Sequence, residues 1–262
     1  MVRRDLLRLL GLGATAGLVG RALAKNGPAD WSAIPYRRVE TTGQHALARW
    51  NELRAEGQGW PIIVGDDEAL GFVAEQFAEG GFAGAGNAET PAAILAAAAD
   101  IRLPEALRHA YAAQGTREDP MPPVAHGEWP EQVFADPGLT VTRDVLSNKP
   151  FARVHILVLP TRNGFEAPAY LKWGGWNECP APAVHVAVLR RWHAGYGAEV
   201  IGMSGDVLNL RVARRPATRS EALALAEEQA YYCIDIVDQG VGSVAALAAG
   251  LMTNDWWYFW WD

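Results

Sequence analysis

The last eight residues of the chain, DWWYFWWD, constrain its fold more than any other segment. Six consecutive aromatic residues stand between Asp255 and Asp262, at a place where protein chains are usually frayed. The run is too short for a stable helix, and its residue types favour strands. We therefore predict that it forms the last strand of a sheet, with a central position in that sheet as one option. The flanking aspartates disfavour the alternative of an aromatic belt at a membrane interface.

The chain opens with MVRRDLLRLLGLGATAGLVGRALAKNG, which pairs Arg3 with Arg4. An uncharged run of 12 residues follows at 9–20, and Ala-Leu-Ala at 22–24 gives a small-residue cleavage pattern. A membrane span needs about 20 apolar residues, so the run is too short to be one. The pattern resembles a bacterial twin-arginine signal peptide of residues 1–24. We expect a periplasmic or secreted protein; a cytoplasmic protein with an amphipathic N-terminal helix is the alternative, if the leader is not functional.

Charge and cysteine content exclude several classes of protein. The formal charge is −7, whereas non-specific binding to nucleic acid needs clustered Lys and Arg. After removal of the leader we expect no stable membrane span. The two cysteines, Cys179 and Cys233, allow one disulfide but not a disulfide-stapled scaffold. No nucleic acid is therefore expected among the partners, which are an unidentified protein or small molecule.

Hydrophobic periodicity divides the body of the chain into three parts. Residues 25–113 show a helix–strand–helix pattern and form a smaller helical N-terminal region. Residues 114–150 are rich in proline and glycine and are interpreted as a linker. Residues 151–262 alternate strand and helix patterns. We predict an α/β fold, with α+β as the alternative class, in which helices flank a mixed sheet.

Within the C-terminal part, the patterns predict individual elements. Apolar alternation predicts strands at 154–159 and 165–172, and Pro182 is typical of a helix start. The stretch 199–212 is predicted to be a hairpin. Thr218 stands in capping-box spacing with Glu221, and the apolar stripe of the helix that follows includes Gln229.

Several motifs of this part resemble the bacterial domain-of-unknown-function 4253 family. They are GGWNECP, YGAEV, YYCIDIVDQG and the terminal WWD, in that order. The resemblance runs from about residue 151 to residue 262. It implies a compact α/β domain and no established activity.

The segment GGWNECPAPAVHV is the best candidate for chemistry. Cys179 stands just before a helix start, a position that stabilises a thiolate. His185 follows at a spacing that allows a Cys–His nucleophile. The alternatives are that the cysteine is a small buried apolar residue or pairs with Cys233. Two aspartates spaced three apart could add an acidic site. The candidate pocket therefore comprises Trp176, Asn177, Glu178, Cys179, His185, Asp235 and Asp238.

Two functions of different classes follow from these features. The first is a binding module that holds a protein partner with an acidic, tryptophan-rich face. Immunity proteins, which are often small and acidic, are an analogy for it in composition alone. The second is a hydrolase-like enzyme with an acidic or cysteine-containing pocket. The sequence contains no HExxH, paired CxxC, GxSxG or strand-linked GxGxxG motif, so we expect no metal and no cofactor.

Overall fold

The computed structural model describes residues 31–79, 90–116, 118 and 120–262. The predicted signal peptide, residues 1–24, lies outside these ranges. Strands β1 to β6 span Arg37–Thr41, Trp60–Gly65, Val154–Leu159, Glu199–Met203, Val207–Arg211 and Trp256–Trp260. Helices α1 to α8 span Ala46–Glu56, Asp67–Glu79, Pro91–Asp100, Glu105–Gln114, Ala167–Leu171, Pro182–Tyr196, Arg219–Tyr232 and Val244–Leu251. A π-helical turn at Ile236–Val241 lies between α7 and α8.

The described strands form one mixed sheet in the order β1-β3-β2-β4-β5-β6. The pair β2–β4 is parallel, and the other neighbouring pairs are antiparallel. Every residue of β2 and β3 is buried, as expected for apolar strands covered on both faces. The α/β prediction, with helices flanking a mixed sheet, is confirmed.

The sheet is shared between the two regions that the sequence separates. Strands β1 and β2 come from residues 25–113, and β2 lies between β3 and β4 of the C-terminal region. The predicted linker, 114–150, is mainly irregular but includes a buried 3₁₀ turn, Thr140–Thr142. In this turn the N–H groups of Thr140 and Val141 donate to Oδ1 of Asn209 in β5. The division of the chain into four parts stays a prediction, and the sheet runs across its boundaries.

The aromatic octet forms strand β6, as predicted, but the strand lies at an edge of the sheet. It pairs with β5 through Val207↔Trp260 to Arg211↔Trp256. The option of a central position was wrong, because the hairpin before α7 places β5 between β4 and the last strand. The side chains of β6 are nevertheless largely buried. Helix α6 covers one face, where Trp192 stacks on Phe259 with ring centroids 5.4 Å apart.

The strand predicted at 165–172 was wrong. A 3₁₀ turn at Gly164–Glu166 leads directly into the short helix α5. Pro168 stands in the first turn of that helix, where its missing N–H costs no hydrogen bond. The other elements agree with the patterns: α6 begins at Pro182, β4 and β5 form the hairpin, and Thr218 caps α7 by accepting from the Glu221 N–H.

Candidate functional site

The structure brings the predicted Cys–His pair together in a buried row of three side chains. The Cys179 Sγ lies 3.4 Å from Nε2 of His185, and Nδ1 of His185 lies 2.5 Å from the hydroxyl oxygen of Tyr232. Helix α6 carries His185 on its inward side, where the side chain has no exposure. Gly174 allows the close approach of the preceding loop, because a Cβ there would lie 2.7 Å from Nε2 of His185.

Burial keeps this row uncharged. It raises the pKa of the Cys179 thiol well above its usual value, and the nearby Cys233 raises it further. Burial also lowers the pKa of His185 to about 3 and raises the pKa of the Tyr232 phenol. Since the thiolate is the nucleophilic form of cysteine, the row offers no activated nucleophile at neutral pH. It acts as a hydrogen-bonded network that orders the core.

Both cysteines are buried and free, as in the alternative that treats Cys179 as a small buried apolar residue. The thiol of Cys233 donates to the backbone oxygen of Trp260 at 2.9 Å. Burial raises the pKa of Cys233 as well. The two thiols therefore behave as small core residues.

Other predicted residues gather around the C-terminus of the chain. Nδ2 of Asn177 donates to the backbone oxygen of Asp262 at 2.8 Å, and the Asp262 N–H donates to Asp235 at 3.1 Å. Burial raises the pKa of Asp235, and the charges of Glu178 and Asp262 act in the same direction. Trp176 packs edge-on against a tryptophan behind it, with ring centroids 5.1 Å apart. The cluster ties the end of the chain to the loop before α6.

Asp238 does not join this group. It is exposed and lies near Tyr111, whose pKa it helps to raise after the larger effect of burial. None of the seven candidate residues lines the two pockets described next. Their role as a functional site stays a prediction.

A pocket that the sequence did not predict lies beside β6. It has a volume of about 80 Å³ and opens partly to solvent. Aromatic and aliphatic side chains form most of its wall, and no charged side chain contributes to it. We call it the aromatic pocket; its lining residues are Phe134, Ala135, Pro137, Gln229, Ile236, Val241, Leu247, Gly250, Leu251, Asn254, Trp256, Trp257, Tyr258 and Trp260.

Three of the residues that line the aromatic pocket carry a buried side-chain nitrogen without a hydrogen-bond partner. These nitrogens are Nε2 of Gln229 and the indole Nε1 atoms of Trp257 and Trp260, which find no acceptor within the described part of the chain. The sequence contained one signal for this arrangement, since Gln229 is a polar residue on the apolar stripe of α7. The two tryptophans were predicted only as part of the last strand.

A second, more polar cleft lies at the carboxyl ends of the parallel strands β2 and β4, where α/β sheets often bind ligands. Its volume is about 390 Å³, and its wall includes Asp66, Arg143 and Asp206. Burial raises the pKa of Asp206, and the charge of Asp262 adds to this effect. Asp206 stands in the turn between β4 and β5.

His155 lies in β3, and its side chain is fully buried. Its Nε2 lies 2.7 Å from Oδ1 of Asp67, which also pairs with Arg153. The hydrogen bond from Arg153 lowers the pKa of Asp67, and the bond to His155 lowers it further. The contact between Asp67 and His155 joins the start of α2 to β3.

Within the described ranges, no group of three or more His, Cys, Asp or Glu side chains is arranged to hold a metal ion. Among the helices of the same ranges, none combines the length and apolar composition that a membrane crossing requires.

Comparison with known proteins identifies the C-terminal part of the chain. Residues 155–262 match the model of a family described as Domain of unknown function (DUF4253). Searches of curated proteins and of solved structures gave no match. The match covers the end of the sheet, from β3 to β6, and includes most of the aromatic pocket. It confirms the resemblance predicted from the motifs. Residues 155–262 are therefore the part of the chain that is similar to the DUF4253 family.

Proposed function

We propose that the protein is an exported binding module that holds a partner protein in the aromatic pocket. The observation that carries this proposal is the pocket itself, an indentation of about 80 Å³ walled by aromatic rings and without a charged side chain. Tryptophan and tyrosine are the residues that most often supply binding energy at protein interfaces. The partner would insert an apolar side chain between Trp256, Tyr258 and the residues of α8.

The position of the pocket supports a protein partner. Side chains from both faces of β6 line it, so it lies along the edge of the strand that is not paired with β5. The edge of a sheet presents backbone N–H and C=O groups that an extended segment of another chain can pair with. An apolar side chain of such a segment would reach the pocket.

A catalytic role for the Cys–His pair has weaker support. Cys179 and His185 are both buried, and burial raises the pKa of the thiol and lowers that of the imidazole. An activated cysteine needs the opposite shifts. Neither residue lines the aromatic pocket.

Export is supported by the arginine pair, the short apolar run and the Ala-Leu-Ala site of the first 24 residues. We expect the protein in the native host to begin after residue 24, with a mass that lacks the leader. An intact N-terminus on a cytoplasmic protein, found by mass spectrometry, would remove export from the proposal and leave the binding module.

The test of binding uses a variant that fills the pocket. Gly250 lies in α8 and lines the pocket, and a Cβ added there meets nothing closer than Nδ2 of Asn254 at 3.8 Å. A Cβ therefore fits at position 250, and Gly250→Leu is designed to fill the pocket from that atom outwards; leucine is also the better helix former by roughly 1 kcal/mol. Tagged mature protein is incubated with a periplasmic extract of the native host, and retained proteins are identified by mass spectrometry.

We expect a specific protein to be retained by the wild type and by Cys179→Ser but lost with Gly250→Leu. The thermal midpoints of all three proteins are measured as the control for folding. Equal retention by Gly250→Leu and the wild type would show that the pocket does not hold the partner. Loss with Cys179→Ser alone, at an unchanged thermal midpoint, would place the partner at the Cys–His pair and not in the aromatic pocket.

A further inference from the structure

We propose that the polar cleft at the carboxyl ends of β2 and β4 binds a small organic cation, an ammonium group on an aromatic or aliphatic body. The cleft and the aromatic pocket share one lining residue, Tyr258, and are otherwise different sites. The inference therefore goes beyond the proposed function and does not depend on it. It is carried by the position of the cleft, its charged groups and its aromatic wall.

Hydrogen bonds between distant segments hold the walls of the cleft. Nε2 of Gln76 in α2 donates to the backbone oxygen of Gly205 at 2.7 Å, which holds α2 against the turn between β4 and β5. Asn209 in β5 holds the Thr140–Thr142 turn by accepting from two of its backbone N–H groups. The fold itself thus forms the cleft, and its volume of about 390 Å³ lies in the range of small-molecule sites.

Acidic side chains outnumber basic ones in the cleft. Three carboxyl groups and one guanidinium line it, those of Asp66, Glu68, Asp206 and Arg143. None of the ion pairs within the described ranges includes any of these four side chains. Asp66 accepts the N–H of Ala69 at the start of α2, while Arg143 donates to Asn148. Because the carboxyl groups have no ion-pair partner in this part of the chain, the cleft favours a cationic ligand over an anionic one.

Asp206 offers the carboxyl group that the ligand would contact. The Ser204 hydroxyl donates to it at 3.4 Å, which is long for a hydrogen bond. Burial raises the pKa of Asp206, and the charge of Asp262 adds to this effect. The residue is nevertheless partly exposed and lines the cleft, so a small molecule can reach it. An ammonium group would supply a positive charge through a charge-assisted hydrogen bond and would lower the pKa of Asp206 again.

Phe72, Phe151 and Tyr258 add aromatic side chains to the wall of the cleft. A Cβ at Gly205 would lie only 2.9 Å from the Cβ of Phe72, so Phe72 packs against the turn that carries Asp206. Aromatic faces attract ammonium groups, and the rings also shield an apolar body from water. A metal ion would need several closely placed ligands, and no such group of side chains occurs in the described ranges. An organic cation needs only one contacting carboxylate.

The experiment compares three probes with a common phenyl skeleton on the mature protein. They are 2-phenylethylamine, which is a cation, 2-phenylethanol, which is neutral, and 3-phenylpropionate, which is an anion. Binding is measured by isothermal titration calorimetry at low and at high salt. We expect the amine to bind at least about tenfold more tightly than the other two probes, since a charge-assisted hydrogen bond adds to the shared apolar contact. Its affinity should fall as salt screens the carboxyl groups.

Charge variants test the assignment of the site, with thermal midpoints as the control for folding. Asp206→Asn keeps the shape of the side chain and should weaken binding of the amine about tenfold. Asp100→Asn removes the same charge from an exposed position of α3 outside the cleft and should leave the affinity unchanged. Arg143→Met removes the like charge from the cleft and should tighten binding about twofold to fivefold. In the wild type, the ¹³C resonance of the Asp206 carboxyl group should shift when the amine is added, which decides the question if a variant does not fold.

The inference fails if 2-phenylethanol or 3-phenylpropionate binds as tightly as the amine, if Asp206→Asn leaves the affinity for the amine unchanged, or if none of the probes binds. Gly250 lines the aromatic pocket but not the cleft, so Gly250→Leu should leave binding of the amine as it is. Loss of the partner with Gly250→Leu, together with no binding of the amine, would retain the proposed function and remove the cation site. Binding of the amine, together with a partner that Gly250→Leu still retains, would do the reverse.

Discussion

Gln229 and His185 are both buried polar residues, but their surroundings give them different roles. Both ring nitrogens of His185 have polar neighbours, whereas Nε2 of Gln229 is buried without an acceptor in the described part of the chain. Sequence periodicity predicted that both lie on helices. Periodicity does not indicate whether a buried polar group has a hydrogen-bond partner, because the acceptors come from distant parts of the chain. The Cys–His pair could therefore be predicted from the sequence, and the aromatic pocket could not.

His185 should make stability depend on pH. Its pKa is about 3 in the folded protein, because burial disfavours the imidazolium, and about 6.5 in an unfolded chain. The unfolded state therefore binds a proton between these values that the folded state does not. The contribution of neutral His185 to stability is fully present above about pH 6.5. The free energy of unfolding should fall by about 2 kcal/mol between pH 7 and pH 5.

Urea unfolding of the wild type and of His185→Gln at both pH values measures this effect. The raised pKa values of Asp206 and Asp235 act in the opposite direction, but they are common to both proteins and cancel in the comparison. We expect a clearly smaller loss of stability between pH 7 and pH 5 in the variant. Equal losses in both proteins would show that His185 is not held neutral.

The two thiols should react slowly in the folded protein. Cys179 and Cys233 are 4% and 1% exposed, and burial raises the pKa of both. Alkylation by iodoacetamide at pH 8 should be at least about a hundredfold slower than in urea-unfolded protein, because the reactive thiolate is both rare and shielded. Rapid stoichiometric labelling of Cys179 under native conditions would contradict the buried row and revive the nucleophile hypothesis.

At the scale of elements, the sequence predicted which segments form strands better than where the strands lie. The aromatic composition of β6 indicated a strand with both faces buried, which suggested a central position. The strand instead lies at the edge of the sheet. Its side chains are still buried, because α6 and the turns around it cover them where a second neighbouring strand is absent. The helix at Ala167–Leu171 was missed because short apolar runs fit strand and helix patterns equally.

The contribution of β6 to stability can be measured at Phe259. Its ring is fully buried and stacks on Trp192. Phe259→Ala should lower the free energy of unfolding by about 3–5 kcal/mol, because a large cavity forms between β6 and α6. Trp256→Ala, on the half-buried opposite face, should cost less and serves as the control. A loss below about 1 kcal/mol at Phe259 would show that the octet is peripheral to the core.

At the scale of the whole molecule, one sheet joins the region before residue 114 to the segment that matches the DUF4253 family model. Strand β2 separates β3 from β4 and is buried along its whole length. The sequence alone suggested two units, because residues 114–150 lack periodicity and are rich in proline. Strand order depends on pairing between distant segments, and local patterns contain no information about it.

We therefore expect residues 151–262 to be unable to fold alone. Removal of β2 leaves β3 and β4 with unpaired edges in the centre of the sheet, where unpaired backbone groups are costly. The fragment should show no cooperative urea transition by circular dichroism, whereas residues 25–262 should show one. A cooperative transition of the fragment would mean that the family domain is an independent unit.

The central claim, that the aromatic pocket is where the partner binds, is tested most directly by photo-crosslinking. A benzophenone amino acid is placed at Leu247, which lines the pocket, or at Ala224, an exposed residue of α7 that lies outside it. Mature protein with either label is irradiated in periplasmic extract, and covalent products are resolved by mass. We predict a partner adduct from position 247 that disappears when Gly250→Leu is added, and none from position 224. An adduct from position 224 but not from 247 would contradict the account.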